Sequence, residues 1–230
     1  MEIYRDLNKL PAFKSSTVLT IGSFDGVHQG HQRLLHKLKT LANNIGGQSL
    51  VITFQPHPRQ IIYPKDKSLR LLTTMEEKIR YLAAENIDCL VIIPFTVEFS
   101  QLQPREYIES FLLKRFNPRY IVIGYDHRFG LNREGNFQLL KTYELPGQLE
   151  IIEINRQSVE EIVVSSTKIR NAVQNGDIHL ANKLLNHPYP IYGMVIHGEK
   201  IGSKLGFPTA NIQIENEFKL IPKYGIYAAK

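Results

Sequence analysis

A single cysteine, Cys89, is all the thiol that these 230 residues contain. One cysteine can form neither an internal disulfide nor a multi-cysteine metal site, which agrees with a reducing compartment. Long apolar runs are missing too. The start, Met1-Glu2-Ile3-Tyr4-Arg5-Asp6, has no hydrophobic leader core, and the most apolar stretch, Leu90 to Phe95, is far shorter than the roughly 18 residues of a spanning helix. No membrane partner and a cytoplasmic location are the expectations. Low-complexity bias is absent: 43% of residues are hydrophobic and 22% charged, with 12 Pro and 15 Gly scattered, as in ordinary globular chains. Finally, there is no basic run. The net charge is +6, of which residues 187–230, with five Lys and three Glu, hold a small part. Nucleic acid would call for a concentrated stripe, so none is expected as a partner. A diffuse charge fits a solvated basic surface or a small anionic substrate.

What is present is alternation. Short β-branched runs (Thr17 to Ile21, Ser49 to Phe54, Cys89 to Ile93, Tyr120 to Ile123, Leu149 to Ile154) are separated by amphipathic segments (His31 to Ala42, Met75 to Ala84, Arg105 to Phe116, Phe137 to Tyr143). Thr74-x-x-Glu77 reads as a capping box, and Pro104 suits a first helical turn. Such βα units predict an α/β fold, a doubly wound parallel sheet with its site at the carboxyl ends of the strands. After Leu149 the rhythm changes to a strand-like Glu161 to Val164 and two short helices, Thr167 to Gln174 and Ile178 to Leu185. The prolines of Asn186-His187-Pro188-Tyr189-Pro190 mark a boundary, giving domains 1–186 and 187–230. Strands are expected at Ile191 to Ile196, Thr209 to Ile214 and Tyr224 to Ala229.

The strongest chemical signal is Gly22-Ser23-Phe24-Asp25-Gly26-Val27-His28-Gln29-Gly30-His31, directly after the first strand and opening the first helix. Glycines there let backbone approach a ligand. The helix start offers free N–H groups, and two histidines three apart can add donors towards one phosphate chain. Taken alone, a tight turn with two surface histidines would read similarly, but ten residues in strand-to-helix context favour a phosphate cradle. His36, His179 and His197 read as ordinary residues, and no zinc site is expected because no carboxylate or thiol cluster accompanies the histidines.

This segment resembles the His-x-Gly-His nucleotidyltransferases, in the form found in FMN adenylyltransferases of the bacterial riboflavin kinase/FAD synthetase family. Phe54-Gln55-Pro56-His57-Pro58 is similar to the family's Phe-x-Pro-His-Pro segment, though by itself it could be a proline-stiffened loop. Gly124-Tyr125-Asp126-His127-Arg128-Phe129-Gly130 is similar to its Gly-x-Asp/Asn-Phe-x-Phe-Gly stretch, with His127 where the family usually has Phe. Ser165-Ser166-Thr167-Lys168-Ile169-Arg170 matches Ser-Ser-Thr-x-Ile-Arg, which also suits a plain helix cap.

The resemblance implies a Rossmann-like nucleotidyltransferase that makes FAD and pyrophosphate from FMN and ATP with Mg²⁺. A phosphate monoester has its second pKa near ~6, so the nucleophile is already ionised and no general base is needed. His28, His31 and Arg170 are the implied catalytic residues. Gly22, Ser23, Phe24, Gly26, Asp126, Ser165, Ser166 and Thr167 are implied for the nucleotide, and Pro56, His57, Pro58, His127 and Phe129 for the flavin. The protein itself is expected to ligate no metal in that site. Residues 193–211, ending in Pro208-Thr209-Ala210-Asn211, resemble the opening of a riboflavin kinase module, in which Thr209 and Asn211 would hold Mg²⁺ and ATP phosphates. The family's later kinase strands and catalytic acid do not follow. A short, incomplete β-barrel-like segment without kinase activity is therefore expected, removable beyond residue 190 at little cost to adenylyl transfer. Alternatives are the full bifunctional activity, a nucleotidyltransferase for another phosphate, and a non-catalytic flavin or nucleotide sensor.

Overall fold

Apolar side chains on both faces of its strands make the centre of the molecule a sheet that helices must cover from two sides. The computed structural model describes residues 1–13, 16–155, 158–159, 162–198, 202, 206–207 and 209–229. Six strands, β1 (Glu2–Tyr4), β2 (Thr17–Ile21), β3 (Gln48–Gln55), β4 (Cys89–Pro94), β5 (Pro118–Gly124) and β6 (Glu150–Ile154), form one sheet in the order β1-β4-β3-β2-β5-β6. Every pairing is parallel. Burial on both faces explains why β2 to β5 read as continuous apolar runs rather than as alternating ones. Leu19, Leu50, Ile52 and Val91 enter one core with Phe111 and Phe116, while Val18, Val51, Leu90 and Ile92 enter the other with Leu35 and Leu38.

Helix α1 (Gln29–Asn44) follows β2, and a short α2 (Pro58–Ile62) follows β3. Helix α3 (Met75–Ala84) starts at the expected capping box, with Thr74 and Glu77 each bonded to the other's backbone. After β4, α4 (Val97–Ser100) leads to α5 (Pro104–Glu106), with Pro104 in the first turn. The single helix expected up to Phe116 is instead α5, a π-helical stretch (Tyr107–Leu113) and α6 (Lys114–Phe116). This widening occurs while Tyr107, Ile108, Phe111 and Leu112 are all buried. Helix α7 (Phe137–Lys141) precedes β6. Strand β1 has no counterpart in the sequence reading, because three residues are too few to display a period.

Because β2 is followed by β3 and β4 on one side while β5 pairs on its other side, the loops after β2 and β5 flank the switch point of the sheet. Beyond β6, the two-residue strands β7 (Ser158–Val159) and β8 (Ile162–Val163) pair antiparallel. Glu161, part of a strand expectation, lies outside the described residues. Helices α8 (Ser166–Asn175) and α9 (Ile178–Leu185) build a third core from Ile169, Val173, Ala181, Leu184 and Leu185 together with Leu72 and Leu220.

The last segment departs from expectation in its strands. Its strands are shorter: β9 (Met194–Ile196) and β10 (Asn211–Gln213) form an exposed antiparallel ribbon, and Tyr224 to Ala229 is no strand at all. Tyr224 and Ile226 are fully exposed, so nothing supplies the packing that a strand face needs. The segment also packs on the first domain. Residues 216–223 run back over the first domain: Leu71 N–H donates to Phe218 O at 2.7 Å, Leu220 N–H donates to Leu71 O at 2.8 Å, and Lys219 and Leu220 are buried. Residues 199–201, 203–205 and Pro208 of the kinase-like motif lie outside the described residues.

Candidate active site

Strand β2 ends where Gly22 N–H donates to Ile52 O, and the chain then turns through a strained loop. Phe24 (φ 47°) and Val27 (φ 39°) take left-handed backbone, at about 1–3 kcal/mol each for residues with a Cβ. Both are almost wholly buried, which holds them there. Between them Gly26 has φ 85°, and a Cβ at that position would lie 2.8 Å from Leu72 Cδ1. The loop ends in His28, whose Nδ1 accepts from His31 N–H at 3.4 Å and caps α1. The two imidazoles stack 3.7 Å apart at 12°, with the Phe24 ring 5.1 Å from His31. Burial pushes the His28 pKa down to about 4, against the pull of Asp25. Burial likewise holds His31 well below the ordinary imidazole range, helped by His28 and Lys78. Both rings are therefore neutral at pH 7, and His31 Nδ1 is buried without a partner.

Asp25, to which the sequence reading gave no role, is the hub beneath this loop. Its carboxylate accepts from the amides of Leu72 (3.0 and 3.1 Å) and Thr73 (3.1 Å), from the Thr73 hydroxyl (3.3 Å) and from Arg170 Nη2 (2.7 Å). Burial disfavours its charge, but Arg170, then Lys78 and these amides, outweigh burial and hold its pKa below the usual range. Ser166 Oγ donates to the Asp25 carbonyl at 3.0 Å, fixing the start of α8 against the β2 loop. Lys78, almost wholly buried, has its pKa lowered to about 8 by burial against the attraction of Asp25. Partners 47 and 145 residues away in sequence leave no local signal, which is why this hub escaped the sequence reading.

Above the hub opens a cleft of about 620 Å³, within the range of small-molecule sites. It brings together Gly22, Ser23, Phe24, His28 and His31 from the first wall and His57 and Pro58 from the second. Asp126, His127 and Phe129 line it after β5, and Ser165, Ser166, Thr167 and Arg170 at the start of α8. Three expected contributors stand differently. Gly26 does not line the cleft: its N–H donates to Thr73 Oγ1 and its carbonyl faces His187 Nε2 at 3.1 Å. Pro56 is exposed outside it, while His57 caps α2 and is held neutral by burial, with its pKa lowered to about 4. Arg170 reaches the cleft but spends Nη2 on Asp25 and Nε on the Arg70 carbonyl, both at 2.7 Å.

Arg59, Arg128 and Arg133, given no site role from the sequence, also line the cleft, and Asp126 is the one acidic residue among the lining residues. Arg170 is paired with Asp25 and Arg59 with Asp66 at 2.9 Å, so Arg128 and Arg133 are the lining arginines that leave the cleft receptive to anions. Its far wall is aromatic: Phe129 stacks on Tyr107 at 4.8 Å, and His127 lies 5.7 Å from Phe129. Burial, with Arg133 nearby, lowers the His127 pKa to about 4, and its Nε2 is buried without a partner. Among the described residues no group of three or more His, Cys, Asp or Glu could hold a metal ion. Thr209 and Asn211 are exposed in the C-terminal segment. No helix among the described residues is long and apolar enough to cross a membrane.

Comparison with known proteins agrees with this geometry. Residues 10–168 match the FAD synthetase family, and residues 185–230 match the riboflavin kinase family. A bifunctional riboflavin kinase/FMN adenylyltransferase of Listeria monocytogenes is 37% identical over 99% of this chain and 69% of its own length. Similarly described proteins of Buchnera aphidicola and Escherichia coli are 39% and 34% identical, over 100% of this chain and 73% of theirs. A solved structure from Streptococcus pneumoniae, described as a macrolide-efflux protein, superposes with a TM-score of 0.85 at 30% identity. It covers 97% of this chain and 71% of that one.

Proposed function

Because the chain belongs to the FAD synthetase family, we propose that its cleft transfers the adenylyl group of ATP to FMN, giving FAD and pyrophosphate. The observation that carries this reading is the stacked pair His28 and His31 at the first turn of α1, facing an arginine-lined cleft with an aromatic far wall. An FMN phosphate oxygen attacks the α-phosphorus in line, and the bond from that phosphorus to the bridging oxygen of the β-phosphate breaks as pyrophosphate leaves. The phosphate is ionised already, so the protein's work is alignment and charge stabilisation.

In this proposal His28 and His31 act on the polyphosphate together with the first-turn amides of α1. Gly22, Ser23 and Phe24 approach the nucleotide by backbone, and Asp126, Ser165, Ser166 and Thr167 hold it from the other side. Arg170, anchored by Asp25, offers a fixed guanidinium donor at the α8 start. His57, Pro58, His127 and Phe129 border the flavin. Mg²⁺ would neutralise phosphate charge; with Asp126 as the one carboxylate lining the cleft, its ligands would come mostly from the phosphates.

Residues 187–230 are proposed as a kinase-like segment, seated on the first domain through Lys219 and Leu220, that does not complete riboflavin phosphorylation within these 230 residues. The riboflavin kinase match favours the other possibility, a chain that also phosphorylates riboflavin. Chromatography of FMN plus ATP, with riboflavin plus ATP in parallel, tests both. FAD from the first mixture and unchanged riboflavin in the second are expected. No FAD overturns the adenylyltransferase, and FMN from riboflavin overturns the restriction.

A further inference from the structure

Lys219 belongs to the segment that matches riboflavin kinase, yet its ammonium is buried in the other domain. Its Nζ donates to the Leu72 carbonyl and to Glu77 Oε2, both at 2.7 Å, and the side chains of Lys219 and Glu77 are 0% and 2% exposed. The same Glu77 oxygen accepts from Thr74 N–H at 2.8 Å. Lys219 thus holds the Leu72 carbonyl directly and the Thr74 N–H through Glu77, and Leu71 is clamped on either side by Phe218 and Leu220. That stretch starts α3 at Thr74 and also carries the Asp25 hub. Its Leu72 and Thr73 amides hold the Asp25 carboxylate, and Asp25 holds Arg170 at the edge of the cleft.

We propose that Lys219 is a positioning residue for adenylyl transfer, bracing the Leu72–Thr73 amides so that Asp25 keeps the Arg170 guanidinium aligned with the reacting phosphates. This proposal rests on the function argued above. A peptide that accepts at its carbonyl is polarised to donate better at its N–H. Loss of the ammonium leaves the Leu72 carbonyl and the Glu77 carboxylate buried without it, and the loop can relieve that only by moving. Arg170 is 15% exposed at its side chain and its Nε is tied to Arg70 O, so a shift of the 70–73 stretch carries the guanidinium with it.

The test uses the full 230-residue chain with Lys219→Met and, because that variant strands a buried carboxylate, also the double variant Glu77→Gln/Lys219→Met. With both melting above the assay temperature, kcat for FAD formation should fall roughly 10- to 100-fold, as a displacement near 1 Å would produce. KM for FMN should stay within about twofold, since flavin contacts are untouched. In an Arg170→Met background, adding Lys219→Met should cost nothing further, because the two residues act as one unit. Amide exchange at Leu72 and Thr73 should accelerate in Lys219→Met while the central strands stay protected.

A folded double variant with wild-type kcat, or losses that multiply in the Arg170→Met background, would overturn the positioning role. A wild-type chain that makes no FAD refutes the function instead. Unchanged exchange at Leu72 and Thr73 refutes the brace whichever way the assay falls.

Discussion

At the scale of single residues, the cleft concentrates imidazoles that burial keeps uncharged. His31 sits on the first turn of α1, its ring against His28 and its Nδ1 unpaired. Replacing it with Ala is expected to lower the rate of FAD formation by roughly 10²- to 10³-fold, the usual cost of one preorganised donor. The melting temperature should change little; a variant with near-full turnover would remove His31 from the chemistry. His127 poses a different question. Its buried Nε2 has no partner, and it replaces the Phe that the family pattern usually has there. His127→Phe removes an unsatisfied polar atom and presents a full aromatic face beside Phe129. Titration with FMN should show binding tighter by about 0.5–1.5 kcal/mol, with ATP affinity unchanged. Unaltered or weaker FMN binding would mean that this ring does not meet the flavin.

At the scale of elements, much of the sheet could be read from the sequence because strands covered on both faces are unbroken apolar runs, and their chemistry does not depend on distant partners. The limits of β2 and α3 fall where the pattern puts them, and the Thr74 and Glu77 box explains why α3 starts where it does. The stretch around Lys219 shows the opposite case. It has no period, and its buried positive charge looks from the sequence like a solvated lysine; only its partner Glu77, 142 residues earlier, gives it meaning. Asp25 is similar, since its place in the Gly22 to His31 motif is visible but its hold on Arg170 is not. Leu220 offers a measure of how firmly this stretch is seated, being 3% exposed in the third core with Leu72, Val173 and Leu184. Leu220→Ala should destabilise the protein by about 2–5 kcal/mol, visible as a lower urea midpoint. A loss below about 0.5 kcal/mol, typical of surface sites, would mean that the stretch detaches in solution.

At the scale of the whole molecule, the histidines make stability depend on pH. His28, His57 and His127 each have a pKa of about 4, burial being the first cause, against an ordinary value of 6.5. Within that window the unfolded chain takes up protons that the native chain refuses, so stability falls as the pH drops from 6.5 towards 4, and Asp25, whose carboxyl is held below its usual range, continues the decline beneath. Calorimetric melting between about pH 7.5 and about pH 4.5 should show this decline, and a melting temperature that stays flat across the window would contradict it. The clasp of Lys219 on Glu77 also sets a schedule for biosynthesis. The six strands of the main sheet have all been made once Ile154 leaves the ribosome. Lys219 follows Ile154 by 65 residues, which at about 5–20 residues per second is a delay of roughly 3 to 13 s. During that interval the nascent chain carries a nearly complete nucleotide fold whose Asp25 hub is still unbraced, so the adenylyltransferase half matures only after much of the segment that follows it has been translated.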